Sequence, residues 1–187
     1  MHNNLPKIYY FINEFDQNHI RKLNKNIALI YRNYEKKVDE KLIKQIKKFC
    51  KIQKRKLFLS NNLKIALKLN LDGVYIPSFN KNIRLKNYSY KKKFIIIGSA
   101  HNIREIKEKE KQGAQAIFIS PLFNKKKKYL GLNKFRNLSK FTKKKIIALG
   151  GINQKNIKKL KLLNIYGYAA INLFDNAKKK APKKLGA

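Results

Sequence analysis

The stretch that decides the fold is Phe94–Ser120, FIIIGSAHNIREIKEKEKQGAQAIFIS. It begins and ends with a continuous apolar run, and the polar segment between these runs starts at Asn102, a residue that can cap a helix. Glu105 stands three residues later and completes a pattern like a capping box. Continuous apolar runs are typical of strands buried on both faces of a parallel sheet. The stretch therefore predicts a strand–helix–strand unit with parallel strands.

Apolar runs of the same kind recur along the chain and give eight strand candidates. They are Lys7–Phe11, Ile27–Arg32, Lys56–Leu59, Gly73–Ile76, Phe94–Gly98, Ala116–Ser120, Ile146–Leu149 and Tyr168–Leu173. Eight strand–helix repeats predict an α/β fold, a small (β/α)8 TIM barrel. Because we see no linker, we expect a single domain over residues 1–176, and a basic, disordered tail over residues 177–187.

Helix starts are indicated by capping residues between the strands. Asp39 precedes a helix whose apolar face includes Cys50, and Asn61 or Asn62 can open a helix over Leu63–Leu69. Asn153 precedes a further segment with helical spacing. As the only cysteine, Cys50 excludes an intramolecular disulfide, and we interpret it as a core residue. With three histidines in the chain, a zinc site is not expected.

The charge is strongly positive: 46 Lys and Arg stand against 10 Asp and Glu, for a net charge of +36. A nucleic-acid partner is one interpretation, since a dense positive field attracts phosphate backbones. We favour a compositional bias, because the lysines are scattered along the whole chain. No apolar run is long enough to cross a bilayer, and the first residues are a poor signal peptide. We therefore expect no membrane partner, and we expect a cytoplasmic location.

Ligands of such barrels bind in the loops after the C-terminal ends of the strands. Gly150-Gly151 follows strand seven, where two glycines let backbone N–H groups approach an anion and the next helix start adds its dipole. A tight turn without a ligand would use the same residues. Ser99, Lys128 and Asn172 fall at neighbouring strand exits and would complete a phosphate-binding ring, and Arg32 follows strand two.

Other residues at these exits favour a ligand site less strongly. His101 directly precedes a helix start, so a capping role competes with a catalytic one. Lys125 and Lys127 belong to a basic run, which is ordinarily a solvated loop, but the run follows strand six.

The order of these motifs resembles the thiamine phosphate synthase/TenI family. The resemblance extends from about residue 72 to residue 174 and is looser in the first 70 residues. It rests on Gly98-Ser99-Ala100-His101, Glu105, Gly113-Ala114, Pro121-Leu122-Phe123, Lys128, Leu149-Gly150-Gly151-Ile152 and Gly167.

The resemblance implies a parallel barrel and a transferase reaction. Synthases of the family join hydroxymethylpyrimidine diphosphate to a thiazole phosphate, giving thiamine phosphate and diphosphate, and Mg²⁺ assists the leaving diphosphate. TenI-type relatives tautomerise a thiazole carboxylate phosphate, but they carry a histidine where this chain has Pro121.

The chain departs from the family pattern mainly on one side. Of the strand-two glutamine, arginine and lysine, only Arg32 remains, beside Ile30 and Tyr34. Asn61 and Asn80 stand where the family has its magnesium-binding aspartates, and an amide oxygen lacks the charge that makes such a site strong. Magnesium is thus expected from the family but doubtful here.

Three hypotheses follow. The chain is a synthase-like enzyme acting on phosphorylated thiazole and pyrimidine, a degraded member that binds such compounds without turnover, or a basic barrel that binds nucleic acid by charge. A ligand site further predicts that Gly151→Val abolishes small-molecule binding and leaves the fold intact. Whether catalysis is retained stays open at this point, as does the oligomeric state.

Overall fold

A computed structural model describes residues 5–35, 38–124 and 129–179, without the side chains of residues 86–87 and 176–179. Eight parallel strands form one closed barrel in which each strand pairs with its neighbour in sequence and the last pairs with the first. Strands β1 to β8 are Ile8–Ile12, Ile27–Tyr31, Leu57–Ser60, Gly73–Ile76, Ile95–Ala100, Ala116–Ile119, Lys145–Leu149 and Gly167–Ala170. The predicted TIM barrel is confirmed.

Helices cover the outside of the barrel between the strands. Helices α1 to α6 are Gln17–Lys22, Glu40–Ile52, Leu63–Lys68, Ile103–Lys111, Gly131–Ser139 and Asn172–Lys179. Three predicted caps are confirmed, because Asp39, Asn62 and Asn102 each accept hydrogen bonds from backbone N–H groups in the first turns of α2, α3 and α4. Every helix in the described ranges is too short or too polar to cross a bilayer.

Two segments differ from the sequence prediction. Ile157–Leu162 forms a 3-10 helix, and the Asn153 side chain accepts from the N–H groups of Lys155 and Asn156, in the turn before it. Asn153 therefore stabilises that turn instead of capping a helix. Helix α6 continues to Lys179, beyond the expected barrel end at residue 176, and residues 180–187 lie outside the described part of the chain.

The core has an inner layer along the barrel axis and an outer layer between strands and helices. In the inner layer, the Tyr9 ring meets the rings of Phe58 and Phe118 edge to face, at centroid distances of 5.7 and 5.0 Å. Cys50 is buried in the outer layer, as expected. Burial raises the pKa of its thiol to about 12, with a smaller effect of the Asp72 charge, so the thiol is poorly nucleophilic at neutral pH.

The two-residue period of the strands decides which side chains reach the barrel mouth. On β3, β5 and β6, the buried apolar residues Phe58, Ile97 and Phe118 point to the axis. Two residues further on, the same face presents a serine at the C-terminal end of each strand. These serines are Ser60, Ser99 and Ser120.

Candidate functional site

The floor of the barrel mouth combines buried serines with an aromatic residue. Ser60 and Ser99 are buried, and Tyr75, which is opposite Ser60 in the β3–β4 register, shares a side-chain hydrogen bond with Ser99. Burial raises the pKa of Tyr75 to about 12, so its hydroxyl keeps its proton at neutral pH. The floor can therefore exchange hydrogen bonds with a ligand without carrying a charge.

Arg32 supplies positive charge at the exit of β2. Its backbone N–H donates to the carbonyl of Ile12 at 2.8 Å, which extends the β1–β2 pairing by one step. Its guanidinium carbon lies 4.9 Å from the centroid of the Phe11 ring, within the range of a cation–π contact. The side chain is partly exposed, so the guanidinium can face an anionic ligand.

Asn61 and Asn80 bind each other across the exits of β3 and β4. The Asn80 Nδ2 group donates to Asn61 Oδ1 at 2.7 Å, and Asn80 Oδ1 accepts from the backbone N–H of Asn82 at 2.9 Å. Asn61 adopts a φ of 57°, a left-handed conformation that asparagine tolerates better than most residues. Both carboxamide oxygens are thus engaged within the protein.

A buried lysine donates a hydrogen bond to the backbone of the loop after β4. Lys109 on α4 is 0% exposed, and its ammonium donates to the Asn80 carbonyl at 2.6 Å and to Gln112 Oε1 at 2.9 Å. Gln112 Nε2 also donates to the Asn80 carbonyl, at 2.9 Å. The lysine stem lies against β5, where a Cβ atom on Gly98 would come 2.7 Å from Lys109 Cδ. Lys109 and Gln112 therefore fix the backbone from which the Asn80 side chain projects.

The Gly150-Gly151 turn packs backbone to backbone on the loop after β6. Both glycines have positive φ, 101° and 75°, and the Gly150 carbonyl accepts from the N–H of Phe123 at 2.8 Å. A Cβ atom on Gly151 would lie 2.5 Å from the carbonyl carbon of Phe123. The expectation that Gly151→Val leaves the fold intact is therefore wrong, because valine would displace this loop.

The remaining predicted residues have different surroundings. His101 Nδ1 lies 2.9 Å from Glu105 Oε2, which also accepts from the His101 backbone N–H, so His101 is tied to the start of α4. Asn172 is exposed and begins α6. Lys125, Lys127 and Lys128 lie outside the described residues. Ser99, Arg32, Gly150, Gly151 and Asn172 share one end of the barrel, at the exits of β5, β2, β7 and β8.

A family model described as "Thiamine monophosphate synthase" matches residues 21–174. The chain belongs to this family. The match covers strands β2 to β8, from the end of α1 to the start of α6, and it confirms the family resemblance found in the sequence motifs.

Individual members of the thiamine monophosphate synthase family give the same result. A putative thiamine-phosphate synthase 2 of Aquifex aeolicus is 32% identical over 140 residues, which are 72% of this chain and 74% of the relative. A thiamine-phosphate synthase of Prochlorococcus marinus is 31% identical over 157 residues, 80% of this chain and 45% of the relative. The matched region thus spans under half of that longer protein.

A solved structure supports the fold independently. The thiamine phosphate pyrophosphorylase from Pyrococcus furiosus has a TM-score of 0.74, with 95% of this chain and 94% of that chain covered. Its sequence identity is 19%, so this likeness shows the barrel and not the activity.

The thiamine monophosphate synthase family leads us to expect Mg²⁺ at Asn61 and Asn80, but the residues do not fit it. Their side-chain oxygens accept hydrogen bonds from Asn80 Nδ2 and the Asn82 N–H and carry no charge to offset the dehydration of a divalent ion. Among the described residues, no group of three His, Cys, Asp or Glu could hold a metal ion.

Three polar residues of this site were not predicted from sequence. In the sequence, Tyr75 and Ser120 belong to apolar strand candidates, and Lys109 is one of many lysines scattered along the chain. The two-residue period of the strands could have identified Tyr75 and Ser120, because each is the last residue of its strand candidate whose side chain points to the barrel axis. For Lys109, the one sequence signal was Gly98, which leaves room for a long side chain.

Proposed function

We propose that this chain is a transferase of the thiamine phosphate synthase type. It would join hydroxymethylpyrimidine diphosphate to a thiazole phosphate and release diphosphate. Membership of the thiamine monophosphate synthase family supports the substrates, and the bare backbone of the positive-φ turn at Gly150-Gly151 supports the phosphate assignment. The expected helix start behind this turn is absent, because the next helical segment is the 3-10 helix Ile157–Leu162, so no helix dipole is invoked. Ser99, Asn172 and Lys128 are the further residues that we assign to the thiazole phosphate.

The proposed reaction breaks the bond between the pyrimidine methylene carbon and the diphosphate oxygen, which leaves with the bonding electrons. The thiazole nitrogen then donates its electron pair to the methylene carbon and forms the new bond. No proton has to be removed, so the main demand is stabilisation of the negative charge that develops on the diphosphate. Among the described residues, we assign the stabilisation of this charge to Arg32. We assign a supporting role to Lys125 and Lys127.

The test is incubation of the purified protein with both phosphorylated precursors, with and without Mg²⁺, followed by detection of thiamine phosphate. We expect product in both conditions, because charge comes from side chains and not from a metal. Arg32→Met should reduce the rate of thiamine phosphate formation by about tenfold or more, because one donor that stabilises the developing charge is lost. A strict Mg²⁺ requirement would contradict the assignment of Asn61 and Asn80 as a pair without metal.

A second candidate is a family member that binds the phosphorylated thiazole and does not turn it over. The Asn80–Asn61 hydrogen bond favours it, because the side of the mouth expected to hold the diphosphate presents amides where carboxylates are expected. Absence of product together with calorimetric binding of thiazole phosphate would select this candidate. Absence of both product and binding would reject both.

A further inference from the structure

Two large aromatic side chains stand exposed at the rim between the exits of β2 and β4. Tyr34 is 51% exposed and Phe79 is 61% exposed, yet their rings meet edge to face with centroids 5.7 Å apart. Isolated exposed aromatic residues are ordinary, but two that contact each other at the C-terminal rim of the barrel form an amphipathic surface of defined shape.

Polar contacts hold the Tyr34 side chain and the residue that follows Phe79. The Tyr34 hydroxyl lies 2.7 Å from Ser60 Oγ, at the end of β3. Phe79 directly precedes Asn80, whose carbonyl is held by Lys109 and Gln112 and whose side chain binds Asn61. The aromatic pair and the amide pair therefore belong to one network that crosses the exits of three neighbouring strands. A ligand that uses this surface would have little conformational entropy to remove.

The polar groups of the rim itself, the Tyr34 hydroxyl and the carboxamides of Asn61 and Asn80, are uncharged, and the nearby charged group is the Arg32 guanidinium. Burial raises the pKa of the Tyr34 hydroxyl, and the hydrogen bond with Ser60 and the Arg32 charge oppose this only in part, so the hydroxyl is neutral at pH 7. A carboxamide offers two N–H donors and an oxygen with two lone pairs. The Asn80–Asn61 bond uses one donor and one lone pair, and the Asn82 N–H uses a lone pair of Asn80 Oδ1. The remaining N–H donors and the second lone pair of each oxygen can meet the edge of a heterocycle.

We propose that this rim, made of Tyr34, Phe79, Asn61 and Asn80, binds an uncharged planar heteroaromatic ring and not a metal–diphosphate group. The ring stacks against the Tyr34–Phe79 pair, and its nitrogen atoms or amino group meet the two carboxamides. The proposal rests on the proposed function in one respect, since it takes the pyrimidine of that reaction as the ring.

The experiment compares three probes by isothermal titration calorimetry at pH 7.5. The probes are the neutral pyrimidine alcohol 4-amino-5-hydroxymethyl-2-methylpyrimidine, inorganic diphosphate, and diphosphate with Mg²⁺. We expect the alcohol to bind, and neither diphosphate probe to displace it. Tyr34→Ala and Phe79→Ala should each weaken binding of the alcohol by about tenfold, the usual scale for loss of one stacking side chain.

The matched control is Phe141→Ala, which removes a 46% exposed aromatic residue from the loop before β7, at the opposite end of the barrel. It should leave binding unchanged. Tyr34→Phe keeps the ring and loses the Ser60 contact, so it should weaken binding less than Tyr34→Ala. Thermal unfolding of each variant shows whether the barrel is intact, which is expected because both rings are exposed.

The proposal is overturned if the wild-type protein does not bind the alcohol, if neither alanine variant weakens binding, or if diphosphate with Mg²⁺ displaces the alcohol. Thiazole phosphate titrated into the same proteins separates this result from the proposed function. Binding of thiazole phosphate without binding of the alcohol refutes the ring site alone. Ring binding that depends on Tyr34 and Phe79, without binding of thiazole phosphate, supports the ring site and counts against the proposed function.

Discussion

The Lys109 ammonium donates a 2.6 Å hydrogen bond to the Asn80 carbonyl, joining the inner face of α4 to the loop after β4. Its two acceptors, this carbonyl and the Gln112 side-chain oxygen, are both uncharged. Burial lowers the pKa of Lys109 to about 8, and the charges of Glu108 and Glu105 oppose this only in part. The hydrogen bonds therefore do not fully offset the cost of removing the ammonium from water.

Lys109→Met is expected to stabilise the protein at pH 7. Methionine fills similar space without a charge to desolvate, and the Asn80 carbonyl keeps its hydrogen bond from Gln112. We expect the free energy of unfolding in urea to rise by about 1–3 kcal/mol. Lys111→Met, on the exposed side of α4, is the surface control and should change it by less than about 0.5 kcal/mol. A Lys109→Met protein less stable than the wild type would show that the hydrogen bonds outweigh desolvation.

The pH dependence of stability follows from the same shift. Because the pKa of Lys109 falls from 10.5 to about 8 on folding, the unfolded chain binds more protons than the folded chain between these values. The contribution of Lys109 to stability is thus present in full above 10.5 and is lost as the pH falls towards 8. The advantage of Lys109→Met should therefore shrink between pH 8 and pH 10.5, as measured by urea unfolding across that range. A constant difference would contradict the lowered pKa.

The Lys109→Met variant should also loosen the loop after β4. The backbone N–H groups of Asn80 and Asn82 are held by the Pro77 carbonyl and by Asn80 Oδ1 within that loop. With one of the two clamps on the Asn80 carbonyl removed, we expect hydrogen exchange of these amides to become about tenfold faster. Amides of β5 and β6, which exchange through global unfolding, should instead slow in proportion to the expected gain in stability, so the opposite direction of the two changes is the internal control. Equal exchange in both proteins would mean that Gln112 alone fixes the loop.

Gly151→Ala should destabilise the barrel more than Gly131→Ala. Both glycines have positive φ, 75° and 63°, so alanine is strained at either position, by about 1–2 kcal/mol. Only at Gly151 does the new Cβ atom meet backbone, 2.5 Å from Phe123, whereas at Gly131 the nearest neighbour is the Tyr129 ring at 3.7 Å. We expect Gly151→Ala to cost about 2 kcal/mol more in urea unfolding. Similar losses in the free energy of unfolding for the two variants would show that the loop after β6 moves aside at little energetic cost.

The barrel was predictable because its signal is local and repeated. Each strand is a short apolar run, and a parallel sheet buried on both faces tolerates little else, so strand positions are wrong by two or three residues at most. The caps at Asp39, Asn62 and Asn102 were readable for the same reason, since each acts on the next few residues. The 3-10 helix at Ile157–Leu162 was not predictable in this way. An asparagine followed by apolar residues at helical spacing fits a 3-10 helix as well as an α-helix.

The site was only partly predictable because its contacts join distant segments. The exits that carry Arg32, Ser99 and Gly150 could be named from the order of strands. The Asn80–Asn61 bond, the Tyr34–Phe79 contact and the burial of Lys109 depend on side-chain geometry between separate loops, which no local pattern encodes. A lysine with its stem inside the barrel wall has the same sequence signature as one in solvent.

The close approach of Gly98 to Lys109 also makes changes at the two positions depend on each other. Any side chain at position 98 would meet the Lys109 stem at Cδ and Cγ, 2.7 and 3.0 Å from the first added carbon. A side chain at position 98 therefore requires the Lys109 stem to move, whereas a shorter residue at 109 would remove this conflict. The two positions are therefore expected to be epistatic: the effect of a side chain at position 98 should depend on whether residue 109 is a lysine.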